Sequence, residues 1–190
     1  MTIQTTDFRK GLKVEMEGKP YLVVKSDFTN PGKGSAFYKV KLKNLENGNV
    51  IERTYKSGVS TGLLAPDLEE KDADFMYLDG DSFYFMDQTT YETLQVHEDY
   101  IDDERNYLQE GIKVKLIYYK GRPISIDLPN FVELKISETD PGLKGDTATG
   151  GLKKAKVETG AQINVPLFIK EGETIRIDTR TGEYVERVKS

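Results

Sequence analysis

Apolar and charged positions alternate with period two through most of the first sixty residues. Leu12-Lys13-Val14-Glu15-Met16-Glu17 alternates, and Gly18-Lys19-Pro20 then turns the chain into Tyr21–Phe28. Phe37–Leu45 alternates again and puts Lys39, Lys41 and Lys43 on one face, because side chains two apart in a strand point the same way. Glu46-Asn47-Gly48-Asn49 is a turn signal with Asn-Gly at its centre, and Val50–Lys56 supplies one more alternating strand. Four or five short strands joined by tight turns, with little helix, predict a small SH3-like barrel. The lysine stripe reads equally as a solvated barrel face or as a surface for phosphates.

Between the second and third of these strands lies Asn30-Pro31-Gly32-Lys33-Gly34-Ser35-Ala36. Pro31 fixes its own φ and pushes Asn30 towards extended backbone. Gly32 and Gly34 permit positive φ and leave no side chain to shield Lys33, so the loop predicts a long cationic arm at a hairpin tip. A solvated lysine in an ordinary glycine-rich turn is the plain alternative. A phosphate-cradling P-loop is excluded, since GxxxxGK[ST] would need glycine at Asp27 and a hydroxyl residue at Gly34.

Past Leu64-Ala65-Pro66-Asp67 the pattern continues as strands. Asp74–Met86 reads as two strands around an Asp-Gly turn, and its aromatic positions lack interleaved Arg or Lys, so they predict core rather than a base-stacking face. Residues 97–108 predict a short helix with Tyr100, Ile101, Tyr107 and Leu108 as apolar positions. Gly111-Ile112-Lys113-Val114 with Gly121-Arg122-Pro123 echoes Gly11-Leu12-Lys13-Val14 with Gly18-Lys19-Pro20. Phe131–Ile136, Ile163–Ile169, Thr174–Asp178 and Tyr184–Val188 are further strands, and the polar tract Asp140–Gly151 is a long loop of the kind that is usually functional or mobile. The expected organisation is all-β: a barrel over 1–64 and OB-like barrels over 65–127 and 128–190.

Charge divides along the same lines. Residues 1–64 carry 11 Lys and Arg against 6 Asp and Glu, residues 65–127 carry 6 against 16, and residues 128–190 carry 10 of each. A basic first third suits phosphate contact, whereas the acidic middle would be repelled by nucleic acid. The absence of cysteine excludes disulfides, thiolate metal sites and cysteine nucleophiles, and one histidine, His97, excludes a multi-histidine metal site. His97 stands among acidic residues without a GxSxG context, which favours an exposed structural role. With no ligand cluster, activated nucleophile or cofactor loop, neither an enzyme nor a cofactor is expected. The first residues lack a basic start followed by an apolar run, and no stretch approaches the ~20 apolar residues of a membrane span, so a cytoplasmic protein is expected; a monomer is the accompanying expectation.

Three motifs in order along the chain resemble the bacterial elongation factor P family. They are Asn30–Ala36, then Thr139-Asp140-Pro141-Gly142-Leu143-Lys144-Gly145-Asp146-Thr147, and last Glu158-Thr159-Gly160-Ala161 through Val165-Pro166-Leu167-Phe168-Ile169, with Asp178–Tyr184 following. The resemblance implies a KOW/SH3-like N-terminal barrel and two OB barrels in a tRNA-like L shape. It also implies a translation factor that binds the ribosome between the P and E sites when consecutive prolines stall synthesis. Lys33 would then face the peptidyl-transferase centre beside the P-site peptidyl-tRNA, supported by Asn30, Pro31, Gly32, Gly34 and Ser35, and would be a candidate for extension by a lysine-modifying enzyme. Gly145, Asp146 and Thr147 match the loop assigned to the E-site mRNA codon, and Tyr184 and Arg187 match RNA-facing positions. A lysine at the tip, where some branches carry arginine, favours an amine-based extension. An elongation-factor-P-like paralogue with another stall preference and a generic RNA-binding adaptor remain the competing readings.

Overall fold

The computed structural model describes residues 1–141 and 151–189. Fourteen strands are present among them: β1 Lys13–Met16, β2 Lys19–Thr29, β3 Phe37–Asn44, β4 Val50–Lys56, β5 Leu68–Asp79, β6 Ser82–Asp87, β7 Thr93–His97, β8 Lys113–Tyr119, β9 Arg122–Asp127, β10 Phe131–Thr139, β11 Leu152–Val157, β12 Gln162–Pro166, β13 Thr174–Asp178 and β14 Glu183–Arg187. They form three sheets, ordered β1-β2-β3-β4, β7-β6-β5-β8-β9 and β12-β11-β10-β13-β14. The all-β expectation of three sheet modules therefore stands.

In the first sheet, alternation places Val23, Val40 and Leu42 inside with Val14, Ile3, Phe8 and Leu63, and leaves Lys39 and Lys41 outside. Bridges from Leu64 to Thr2 and to Glu15 bring the end of the module back onto its beginning. The β3–β4 connection is longer than a two-residue hairpin. Buried Asn44 ends β3 and accepts the N–H groups of Glu46 (2.8 Å) and Asn47 (3.2 Å), and Gly48 takes φ 73°.

By packing, the chain divides into two compact units, Met1–Lys71 with Leu116–Ser125 and Asp72–Lys115 with Ile126–Ser190. Within the first unit, Leu45, Ile117, Tyr119 and Ile124 bury together against Leu22 and Leu68. The Tyr119 hydroxyl donates at 2.9 Å to a Glu15 carboxylate oxygen or to the Gly18 carbonyl, both of which lie at that distance. Within the second unit, Phe75 and Phe85 are buried and in contact at 5.5 Å, which is the core role expected of these aromatics. Tyr77, by contrast, is half exposed and stacks on Tyr84 at 4.8 Å.

The helix expected over 97–108 does not form as one element. Two 3-10 turns, Glu98–Tyr100 and Asp103–Tyr107, flank an extended Ile101. Asp and Asn are weak helix formers, and burying both Ile101 and Tyr107 requires a break between them. Tyr107 joins the core of the third sheet, made by Val132, Leu134, Ile136, Val157, Ile163, Val165, Ile169, Ile175 and Ile177. The Thr159 hydroxyl donates to the Asn106 carbonyl at 2.6 Å beside it. The strand expected over Ile163–Ile169 stops at Pro166, which has no N–H to extend the ladder.

Candidate functional site

The Lys33 loop is carried by the β2–β3 hairpin. Register runs Ser26 to Val40, Asp27 to Lys39, Phe28 to Tyr38 and Thr29 to Phe37, which leaves residues 30–36 as the connection. Gly34 adopts φ +113°, a conformation that L side chains rarely take, so glycine is required there. Gly32 lies outside the positive-φ region, because the chain needs only one reversal of that kind to return. Asn30, Gly32, Lys33, Gly34 and Ser35 are exposed, while Pro31 is half-buried. Lys33 has no hydrogen-bond or ion-pair partner among the described residues. Its ammonium is a cation at the end of a four-carbon stem, held only by backbone.

The far side of the loop is tied down. The Ala36 carbonyl accepts the Ser57 N–H at 2.8 Å, and the next amide, Gly58 N–H, donates at 3.3 Å to the hydroxyl of buried Thr5. Below the loop, Phe28, Tyr38 and Tyr55 are successive register partners across three strands. Tyr38 lies 4.8 Å from Phe28 and 5.9 Å edge-on from Phe8, and Phe8 lies 5.1 Å from Tyr55. Burial raises the Tyr55 phenol above its ordinary range. Sequence reasoning did not single out these four rings. The available signal was that Phe28 and Tyr38 stand symmetrically about the loop, two positions before Asn30 and two after Ala36.

On the outer face of the hairpin, Lys39 and Lys41 are exposed and Lys43 is half-buried. Carboxylates from the same sheet share this face. Lys39 lies 3.8 Å from Glu52, and Lys25 lies 2.7 Å from Asp27, whose hydrogen bond raises the Lys25 pKa. The stripe is thus real but partly neutralised.

In the third sheet, Tyr184 is half-buried against the core. Arg187 donates to Glu173 at 3.0 Å and lies over the Phe168 ring at 5.9 Å. Arg176 sits between Glu186 (2.6 Å) and Glu133 (2.9 Å), and Arg180 chelates Asp178 through two contacts of 3.0 and 2.6 Å. Gly145, Asp146 and Thr147 lie outside the described residues. His97 is placed on the surface between Asp81 (3.1 Å) and Asp99 (3.2 Å), and among the described residues no cluster of three or more His, Cys, Asp or Glu forms a metal-sized site. No helix among them is long and apolar enough to cross a membrane.

Residues 4–60 match the elongation factor P KOW-like domain, residues 68–126 the elongation factor P OB domain, and residues 132–187 the elongation factor P C-terminal domain. An elongation factor P from Moorella thermoacetica is 50% identical over 185 residues, 97% of this chain and 99% of its own. The chain belongs to the elongation factor P family. A second elongation factor P, from Coprothermobacter proteolyticus, is 48% identical over 186 residues, 98% of this chain and 99% of that relative. Among solved structures, eukaryotic translation initiation factor 5A from Methanococcus jannaschii covers 68% of this chain with 92% of its own, at 22% identity and a TM-score of 0.46. Membership of the elongation factor P family makes the chain a translation elongation factor, a protein that works with the ribosome.

Proposed function

We propose that this elongation factor binds the ribosome between the P and E sites and restores peptide-bond formation on peptidyl-tRNA stalled at consecutive prolines, with Lys33 as the residue that reaches the tRNA. The observation that carries the reading is Lys33 itself: an exposed, unpartnered cation on a hairpin tied down on its far side, in a chain of this family. A compact ammonium on a flexible stem tracks an RNA backbone as a point charge. Its own stem extends only about 6 Å beyond Cα, so extension by a modifying enzyme with a group that carries its own amine lengthens its reach towards the tRNA 3′ end and keeps a cation at the tip. The contribution is positional. Restricting the peptidyl-tRNA to reactive geometry removes part of the entropic barrier, and the ribosome performs the chemistry.

In this reading the three domains are 1–64, 65–127 and 128–190. Lys39, Lys41 and Lys43 face tRNA or ribosomal RNA, the acidic middle faces ribosomal protein or solvent, Gly145-Asp146-Thr147 meet the E-site codon, and Tyr184 and Arg187 lie near RNA. The test is a proline-rich reporter in a host lacking the factor, complemented with parent or Lys33→Ala, together with the intact mass of the protein from its native host. Parent rescues and Lys33→Ala does not, while its melting stability stays within ~0.5 kcal/mol of the parent. Full rescue by Lys33→Ala overturns the reading.

A further inference from the structure

Lys33 acts at a distance from the barrel, so what matters is how narrowly its Cα is held. Two features of the loop itself, glycines at 32 and 34, work against that. What lies beneath the loop works for it. One cross-strand rung, Phe28–Tyr38–Tyr55, spans β2, β3 and β4, and only the rung Thr29–Phe37–Lys56 separates it from the tip. The contacts form a continuous path: Phe28 rests on Tyr38, Tyr38 on the edge of Phe8, and Phe8, 8% exposed, is part of the barrel core. Phe28 is at the outer end of this path and remains 55% exposed. An aromatic so exposed adds little core, yet aromatic pairs directly opposite in a ladder favour a defined ring geometry and stabilise the pairing of their two strands.

We propose that Phe28 and Tyr38 are positioning residues for the lysine arm: the ring path from Phe8 fixes the direction in which the hairpin aims Lys33. This rests on the functional reading above. Phe28 acts through Lys33 and makes no contribution to ribosome affinity. The hairpin edge that carries it has aromatic packing on its inner face, while Lys39 and Lys41 occupy the outer face, where phosphates would bind.

Two measurements test this, one independent of the ribosome. The chain contains no cysteine, so Lys33→Cys and Lys10→Cys can be spin-labelled together and their distance distribution measured by pulsed electron paramagnetic resonance. Adding Phe28→Ala broadens the distribution, and Phe28→Tyr returns it to the parent width. Unchanged width in Phe28→Ala overturns the proposal, whatever the activity. The second measurement is factor-dependent peptide-bond formation on proline-stalled ribosomes. Phe28→Ala lowers the rate at saturating factor by at least about threefold, leaves the half-saturating concentration unchanged, and recovers in Phe28→Tyr. In a Lys33→Ala background, Phe28→Ala causes no further loss. A raised half-saturating concentration, or an equal additional loss without Lys33, shows that Phe28 itself touches RNA and overturns the positioning role. Full activity of Lys33→Ala by itself instead overturns the functional reading, and leaves the distance measurement to decide whether the ring path stiffens the hairpin.

Discussion

Lys33 in the first module and the arginines Arg176, Arg180 and Arg187 of the third sheet are deployed in opposite ways. At Lys33 the charge has no partner among the described residues, is exposed and is carried on glycine-flanked backbone. In the third sheet, Arg176, Arg180 and Arg187 are all exposed or half-exposed, yet each is engaged by a carboxylate of its own sheet or adjoining turn within 3.0 Å. The pairing shows in the titration of two of the carboxyls. Arg180 holds the Asp178 carboxyl below its ordinary range, and the Lys170 N–H, followed by Arg187, does the same for Glu173. A cation with a local partner must give up that partner, or share it, before it meets a phosphate. A cation without one is available at once. The comparison teaches that equal counts of Lys and Arg mean little until their partners are known.

Reversing the outer-face stripe breaks the comparison most severely. Replacing Lys39, Lys41 and Lys43 together with Glu weakens ribosome binding by at least about tenfold near physiological salt, and makes its log–log salt slope shallower by up to about 3. Lysines added across Asp67–Asp74 change binding little. Filter binding across a salt series measures both, and damage from the second set rather than the first would refute the charge argument.

Arg187→Ala comes next. Because Arg187 already serves Glu173 and covers Phe168, its removal reduces ribosome affinity by only about two- to threefold, the scale of one exposed charge contact. A loss as large as that of the lysine stripe would mean that the Arg187–Glu173 pairing of the free protein is abandoned on the ribosome.

How much of this was legible beforehand follows from range. Strand positions came from period-two alternation, which is local, and β4 and β13 fall on the residues expected of them. The loop and its lysine were legible because Pro and Gly write backbone geometry directly into sequence. The 97–108 segment departs from the single helix its spacing predicts, since spacing alone cannot say that Ile101 is extended and buried between two short turns. Pairing of Arg187 with Glu173, or of Phe28 with Tyr38, depends on register and turn geometry across the fold, which no local pattern carries.

The smallest effects concern acid. Carboxyls held below their ordinary range contribute stability that is complete above the unfolded pKa and is lost as pH falls through the folded one. Melting temperature therefore declines as pH falls below the ordinary carboxyl range, and Glu173→Gln removes part of the decline. Glu104 has the opposite sign, because burial raises its carboxyl: the cost of its charge is relieved as pH falls through its folded pKa and is gone below the unfolded one. Glu104→Gln, whose amide oxygen can still accept the Asp102 N–H, raises the melting temperature at pH 7 and has no effect near pH 3.

The central claim is that Lys33 contributes reactive geometry rather than attachment. It is tested most directly by single-round peptide-bond formation between consecutive prolines on purified ribosomes, with the factor at saturation and its binding measured in parallel. Lys33→Ala is expected to lower the rate by about tenfold or more while its dissociation constant stays within about twofold of the parent. Equal rates for the two proteins, or a loss that disappears once more of the variant is added, would contradict the account.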